Sequence, residues 1–274
     1  MADSKISALP ASTTPLTGAE LVPIVQSGTT KQTTVSDIRN VGGYKAPFTL
    51  IETGIPFVLT SGSMGNNGAL TLTTAVATTY PNAYVYMPAG AISAGSAAGW
   101  YYAVFSTTTA ATVYNNTYTS GTPTIPGSPT AFSTTGPGAF TFSTGSSYTG
   151  VTATLAANTL GINGSVELIW TATANNSANA KYARALFGGQ TPAGATAFTT
   201  QGSGRWNATV QNRGVTNAQT TNGVEWANGQ LSTANSTAAV NTAADVAVAS
   251  NLYLSSSTSD TLTVESFKVV VYPS

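Results

Sequence analysis

The stretch GSVELIWTATANNSANAKYARALFGG, residues 164–189, decides the fold class. Apolar residues recur at every second position from Val166 to Ala174, ANNSAN carries the residues that favour turns, and KYARALF alternates again. A period of two bounded by turn residues is the pattern of a half-buried strand, a reversal and a second strand. The same texture extends in both directions. Toward the N-terminus, FTLIETGIPFVLTS (48–61), GALTLTTAV (68–76) and NAYVYMP (82–88) read as strands, and WYYAVFS (100–106), apolar on both faces, reads as a central one. TSGTPTIPGSPTAF (119–132) is a long Pro- and Gly-rich loop before GAFTFS (138–143) and GVTATLAA (150–157). Toward the C-terminus, RWNATVQNR (205–213), DVAVASNLYLS (245–255) and DTLTVESFKVVVYPS (260–274) complete ten to twelve expected strands. The one helix-compatible window, STANSTAAVNTAADVA (232–247), has too much Thr, Asn and Val for a helix and reads as a loop entering a strand. The expectation is an all-β fold, with a jelly-roll-like β-sandwich over residues 46–274 closed by its final strand. No fixed repeat suggests a propeller or β-helix.

Composition narrows the chemistry. The 274 residues include 9 basic and 9 acidic side chains, no His and no Cys. Without His or Cys, Ser-His-Asp and Cys-His catalysis are removed, disulfides are impossible, and a zinc site would have carboxylates alone as ligands. Zero net charge, with Arg184, Arg205 and Arg213 in no dense patch, gives little attraction for nucleic acid phosphates. No apolar run approaches the length of a membrane-spanning helix, and MADSKIS lacks the apolar core of a secretory signal. Only 7% of residues are charged, so either hydroxyls and amides solvate the surface or much of it is covered in an assembly.

Three acids, Glu167, Glu225 and Glu265, fall in apolar strands, where the expected role is a solvent-facing or ion-paired strand position. The Gly-rich GSMGNNG and GGQTPAG open no helix and read as turns, not phosphate cradles. Trp100, Tyr101 and Tyr102 are expected in the core. Trp206 and Trp226 lie in polar, Gly-flanked contexts, GSGRWNA and GVEWANG, and are the candidates for a glycan or subunit contact, with interface or core the weightier reading. The sequence calls for no catalytic residue, no metal and no cofactor.

The opening segment behaves differently. KISALPASTTPLTGAELVPIVQSGTTKQTTVSDI, residues 5–38, contains Ile6, Leu9, Leu21, Val22, Ile24, Val25, Val35 and Ile38, which favour burial in a segment too short to build its own core. ELVPIVQ reads as an extended strand that Pro23 confines to an edge, SGT as a turn and KQTTVS as a second strand. Ser36 then caps one helical turn over DIRNV, ended by Gly42 and Gly43, and residues 42–47 form a linker. A hairpin and hook of this kind, residues 1–45, gains stability by filling a groove on another molecule and pairing with its sheet edge. At about 25 cal/mol per Å² a few buried Leu, Ile and Val side chains contribute several kcal/mol per chain.

The order ISALP, a polar spacer, ELVPIVQ, G-T-x-K and T-V-x-D-I resembles the N-terminal segment of many bacteriophage virion appendage proteins: tail fibres, tailspikes and head fibres. In that family the segment acts as an adaptor fixing a trimeric fibre to the particle. The resemblance implies a non-enzymatic structural protein of the virion, a homotrimer whose partners are tail, portal-adaptor or capsid subunits. Contact with host surface glycans is a further implied role. Synthesis would occur in the host cytoplasm without a signal peptide, with no membrane insertion and no nucleic acid bound. Three linked anchors would strengthen attachment through effective concentration. The alternatives are a head fibre or capsid decoration protein and, less favoured, a glycan-cleaving tailspike, which needs two carboxylates facing one groove.

Overall fold

The computed structural model describes residues 21–26, 29–34, 45–133, 136, 138–192, 199–200, 202–227 and 230–274. The chain divides into two compact units, one reaching to Ala46 and the other spanning Pro47–Pro273. In the first, β1 (Leu21–Gln26) and β2 (Thr29–Thr34) form a two-stranded antiparallel sheet with Leu21 opposite Thr34 and Pro23 opposite Gln32. In a two-stranded sheet each strand is an edge, the setting that Pro23 requires. The expected helical turn over DIRNV, with Ile6, Leu9, Val35 and Ile38, lies outside the described residues.

The second unit is an all-β sandwich. Its described residues form sixteen strands: β3 (Phe48–Thr53), β4 (Phe57–Leu59), β5 (Gly62–Met64), β6 (Ala69–Leu72), β7 (Ala83–Met87), β8 (Gly99–Phe105), β9 (Ala110–Tyr118), β10 (Gly138–Phe140), β11 (Ser147–Leu155), β12 (Ser165–Ala174), β13 (Lys181–Phe187), β14 (Ser203–Asn212), β15 (Gln219–Ala227), β16 (Gln230–Ala238), β17 (Val246–Leu254) and β18 (Leu262–Tyr272). Thirteen belong to one long sheet, ordered β10-β5-β6-β9-β8-β7-β4-β18-β12-β14-β15-β16 with β3 also on β18. Every pairing in it is antiparallel except β4 with β7. The remaining three, β11-β17-β13, form a smaller sheet laid over β18, β12 and β3.

The alternation read in residues 164–189 is present in full: β12 and β13 bury every second side chain. The reversal between them does not make a hairpin. It carries the chain from the long sheet into the facing one, so the buried sides of the two strands meet across the core. Lys181 holds this corner. Fully buried, it donates through Nζ to Ser177 Oγ (2.8 Å), the Asn179 carbonyl (2.9 Å) and the Thr199 carbonyl (3.3 Å), and burial lowers its pKa. Across the same corner Asn175 donates to Asp260 Oδ1 (2.8 Å) and accepts from the Thr261 N–H (2.8 Å).

WYYAVFS becomes β8, inside the long sheet, and Trp100, Tyr101 and Tyr102 are all buried. Phe57 packs edge-on against Trp100 and Tyr118 and stacks on Tyr84, at centroid separations of 5.0, 5.0 and 5.3 Å. GSMGNNG folds as β5 and a tight turn in which Asn67 and Gly68 both have positive φ, and a side chain at Gly68 would lie 2.3 Å from the Val113 carbonyl. Gly188 and Gly189 likewise take positive φ in the turn that ends β13.

Two expectations are corrected. The strands exceed ten to twelve because several span only three or four residues, too short to leave a periodic signal. The window read as a loop begins with a regular strand, β16, paired with β15 over nine positions; the chain leaves that strand only after Ala238. Its side chains are mostly exposed, so it carries no buried face for alternation to reveal.

Candidate functional site

Alternation along RWNATVQN sends Arg205 outward and Trp206 inward. Trp206 is 1% exposed and stacks on Trp170 at 5.8 Å and 7° between planes, and Trp170 Nε1 donates to the Ala183 carbonyl of the facing sheet (3.1 Å). Trp206 is therefore a core residue with no face for a sugar ring or a second subunit. Trp226 takes the opposite side of the sheet and is 61% exposed. One of the two candidate tryptophans remains available for contact.

Cross-strand register builds the surface around it. Ser266, Thr171, Arg205, Trp226 and Leu231 stand opposite one another in sequence across β18, β12, β14, β15 and β16, forming a row across the strands. The next row runs through Lys268, Ile169, Asn207, Val224 and Thr233. Two adjoining hollows share Arg205 and Trp226. One, of about 410 Å³, is lined by Thr171, Thr173, Ser203, Arg205, Trp226 and Glu265 among others. The other, of about 500 Å³, is lined by Arg205, Trp206, Asn207, Val224 and Trp226.

Glu265 reaches the first hollow through a β-bulge. Thr171 pairs with Ser266 and Ala172 with Val264, leaving Glu265 as an extra residue between them. A bulge bends its strand and re-aims a side chain. The Glu265 carboxylate accepts short hydrogen bonds from Tyr80 OH and Thr173 Oγ1, both 2.5 Å. Burial first, and the neighbouring Glu265 second, hold the Tyr80 phenol well above its ordinary pKa, so it stays protonated and donating. Beside it, the Thr171 and Ser266 hydroxyls bond at 2.7 Å.

The three acids are not brought together. Glu167 lies on β12, where it accepts from Asn207 Nδ2 (2.7 Å) and Tyr272 OH (3.1 Å), an arrangement that raises the Tyr272 pKa. Glu225 is 5% exposed on the face of β15 opposite Trp226. The 410 Å³ hollow is thus lined by a single carboxylate. Among the described residues no cluster of three or more His, Cys, Asp or Glu could hold a metal ion.

What this hollow offers chemically is an exposed indole beside a guanidinium, a carboxylate and several hydroxyls. That set suits a ligand with a flat apolar face and hydroxyl edges. Sequence reading found Trp226, but took Glu265 for a solvent-facing or ion-paired strand position and gave Arg205 no role beside the tryptophan. Arg205 was legible from alternation with the adjacent Trp206; Glu265 was not, because a bulge leaves no mark in a single sequence.

No protein-family model matches the chain, and no curated protein matches it.

Proposed function

We propose that the chain is a non-enzymatic structural component of a bacteriophage particle, a trimeric appendage of the tail-fibre or spike type. In this reading residues 1–45 attach it to other virion proteins and the sandwich projects from the particle. The observation that supports it is the hairpin β1–β2, a separate two-stranded sheet in a unit that ends at Ala46. An isolated two-stranded hairpin is marginally stable in water and gains from a partner's edge or groove. The ISALP, ELVPIVQ and G-T-x-K order of the same segment, with its resemblance to virion anchors, supplies the kind of partner.

Contact with host surface glycans, in this reading, belongs to the hollow beside Trp226. A pyranose ring presents C–H groups to the indole face while Arg205 and Glu265 address its hydroxyls. The Trp206 ring, buried against Trp170, offers no face for stacking there.

Deletion of residues 1–40 tests attachment. The truncated chain is expected to fold with the melting temperature of the full one and to be missing from purified particles. Normal incorporation of the truncated chain would refute the anchor.

A further inference from the structure

Glu265 is held in a way that leaves half of its carboxylate for a ligand. The bulge in β18 sets it at the wall of the 410 Å³ hollow, and both donors that reach it, Tyr80 OH and Thr173 Oγ1, bond the same oxygen, Oε1, at 2.5 Å. Tyr80 is 4% exposed, so one arm of this clamp is rooted in the core. Among the described residues nothing donates to Oε2, and that oxygen is not enclosed. Two donors on one oxygen thus fix the other as a positioned, charged acceptor.

Arg205 lines the same hollow and forms no salt bridge with Glu265, so a ligand entering there breaks no ion pair. It must offer a donor to Glu265 and an acceptor to Arg205 while laying an apolar face on Trp226. Neighbouring hydroxyls on a pyranose ring satisfy both charges, since a hydroxyl donates as well as accepts. A ring carboxylate offers acceptors alone. It would suit Arg205 and meet Glu265 as a like charge. Exposure decides between the two effects: Glu265 is half-buried and clamped, whereas Arg205 is exposed on a flexible stem, where salt screens it. The fixed negative charge prevails, and like charges set together exclude the wrong partner.

We infer that this hollow takes an uncharged hexose and rejects acidic sugars, with Glu265 as the residue that enforces the choice. The inference rests on the reading that the hollow holds a glycan, and it adds which class of glycan.

Tryptophan fluorescence of the full purified chain tests it. The probes are polyuronates of galacto, manno and gluco configuration, each paired with the same polymer after its carboxyl groups have been reduced to alcohols. At least one reduced polymer is expected to bind, and to bind about tenfold more tightly than its acidic parent. Raising the salt concentration should narrow that gap by strengthening the acidic parent, with the reduced polymer unaffected. Glu265→Gln keeps an oxygen for Tyr80 and Thr173 and replaces the free acceptor with a donor. It should melt near the wild type, lose affinity for the reduced polymer and gain affinity for the acidic parent. An acidic parent that binds the wild type as tightly as its reduced form overturns the inference and leaves the glycan reading standing. A gap that Glu265→Gln does not change does the same, and so, with no variant needed, does a gap that stays constant as salt rises. Failure of every one of these polymers to bind, or binding that survives Trp226→Ala, overturns the glycan reading of the hollow and the inference with it. None of these results bears on particle attachment, which the deletion of residues 1–40 tests separately.

Discussion

Two tryptophans in similar Gly-flanked contexts have opposite fates, and the difference is one of parity along the strand. Trp206 is at an inward position of β14, stacked on Trp170 beneath the facing sheet; Trp226, opposite Arg205 in the ladder, points outward. Trp206→Ala leaves a cavity the size of an indole and is expected to destabilise the protein by about 3–5 kcal/mol in urea unfolding. Trp226→Ala should stay within about 0.5 kcal/mol of the wild type, as an exposed substitution does. Only Trp226→Ala should abolish the change in tryptophan fluorescence when host polysaccharide is added; polysaccharide binding that survives this substitution would exclude the hollow as a glycan site. Composition cannot separate the two residues. The period of two in RWNATVQN could have, once Ala208 and Val210 are read with Trp206 as one face.

At the scale of elements, the long alternating strands were readable because one face of each is buried, and burial is what writes a pattern into sequence. β12 and β13 are the clearest cases. Their turn was readable too, but a turn signal says that the chain reverses and not which sheet receives it. β16 escaped because a strand exposed on both faces looks like a loop. The bulge at Glu265 escaped because the extra residue is visible only against its partner strand. That bulge has a testable consequence. Val264 and Phe267, both buried, are three positions apart, so removing Glu265 restores plain alternation and keeps the pairing of Phe267 with Trp170. Deletion of Glu265 is therefore expected to give a folded protein with a native circular dichroism spectrum, having lost the partner of Tyr80. Deletion of Ile169, in the regular β12–β14 ladder, moves Trp170 and Ala172 to the outer face and should prevent folding. Equal tolerance of the two deletions would contradict the assigned register.

For the whole molecule, charge is scarce and the response of stability to alkaline pH falls to the tyrosines. Among the described residues one salt bridge is present, Lys268 to Glu52 at 3.1 Å, and it is exposed. The core instead holds tyrosines whose hydroxyls make fixed bonds, such as Tyr84 to the Thr124 carbonyl (3.0 Å) and Tyr101 to the Ala97 carbonyl (3.0 Å). Burial raises the pKa of Tyr80, Tyr84, Tyr86, Tyr101, Tyr102, Tyr118 and Tyr148 above the ordinary value of 10.0. Above that value the unfolded chain releases protons that the folded chain keeps, so the linkage slope is negative and stability falls as pH rises. Below it both states are protonated and these groups leave stability flat. Lys181 acts in the other sense: burial lowers its pKa, so the folded chain loses that proton first and gains stability up to the unfolded lysine value of 10.5. One lysine is outweighed by seven tyrosines, of which Tyr80, Tyr84, Tyr101 and Tyr102 are buried in the core and Tyr86, Tyr118 and Tyr148 pack against it. The melting temperature is expected to fall steeply above about pH 10, with tyrosinate absorbance at 295 nm appearing in the same transition as the loss of β circular dichroism. Tyrosinate that grows in gradually while the strands persist would mean that these rings are reached by water in the folded state, and that the aromatic half of the sandwich is not closed.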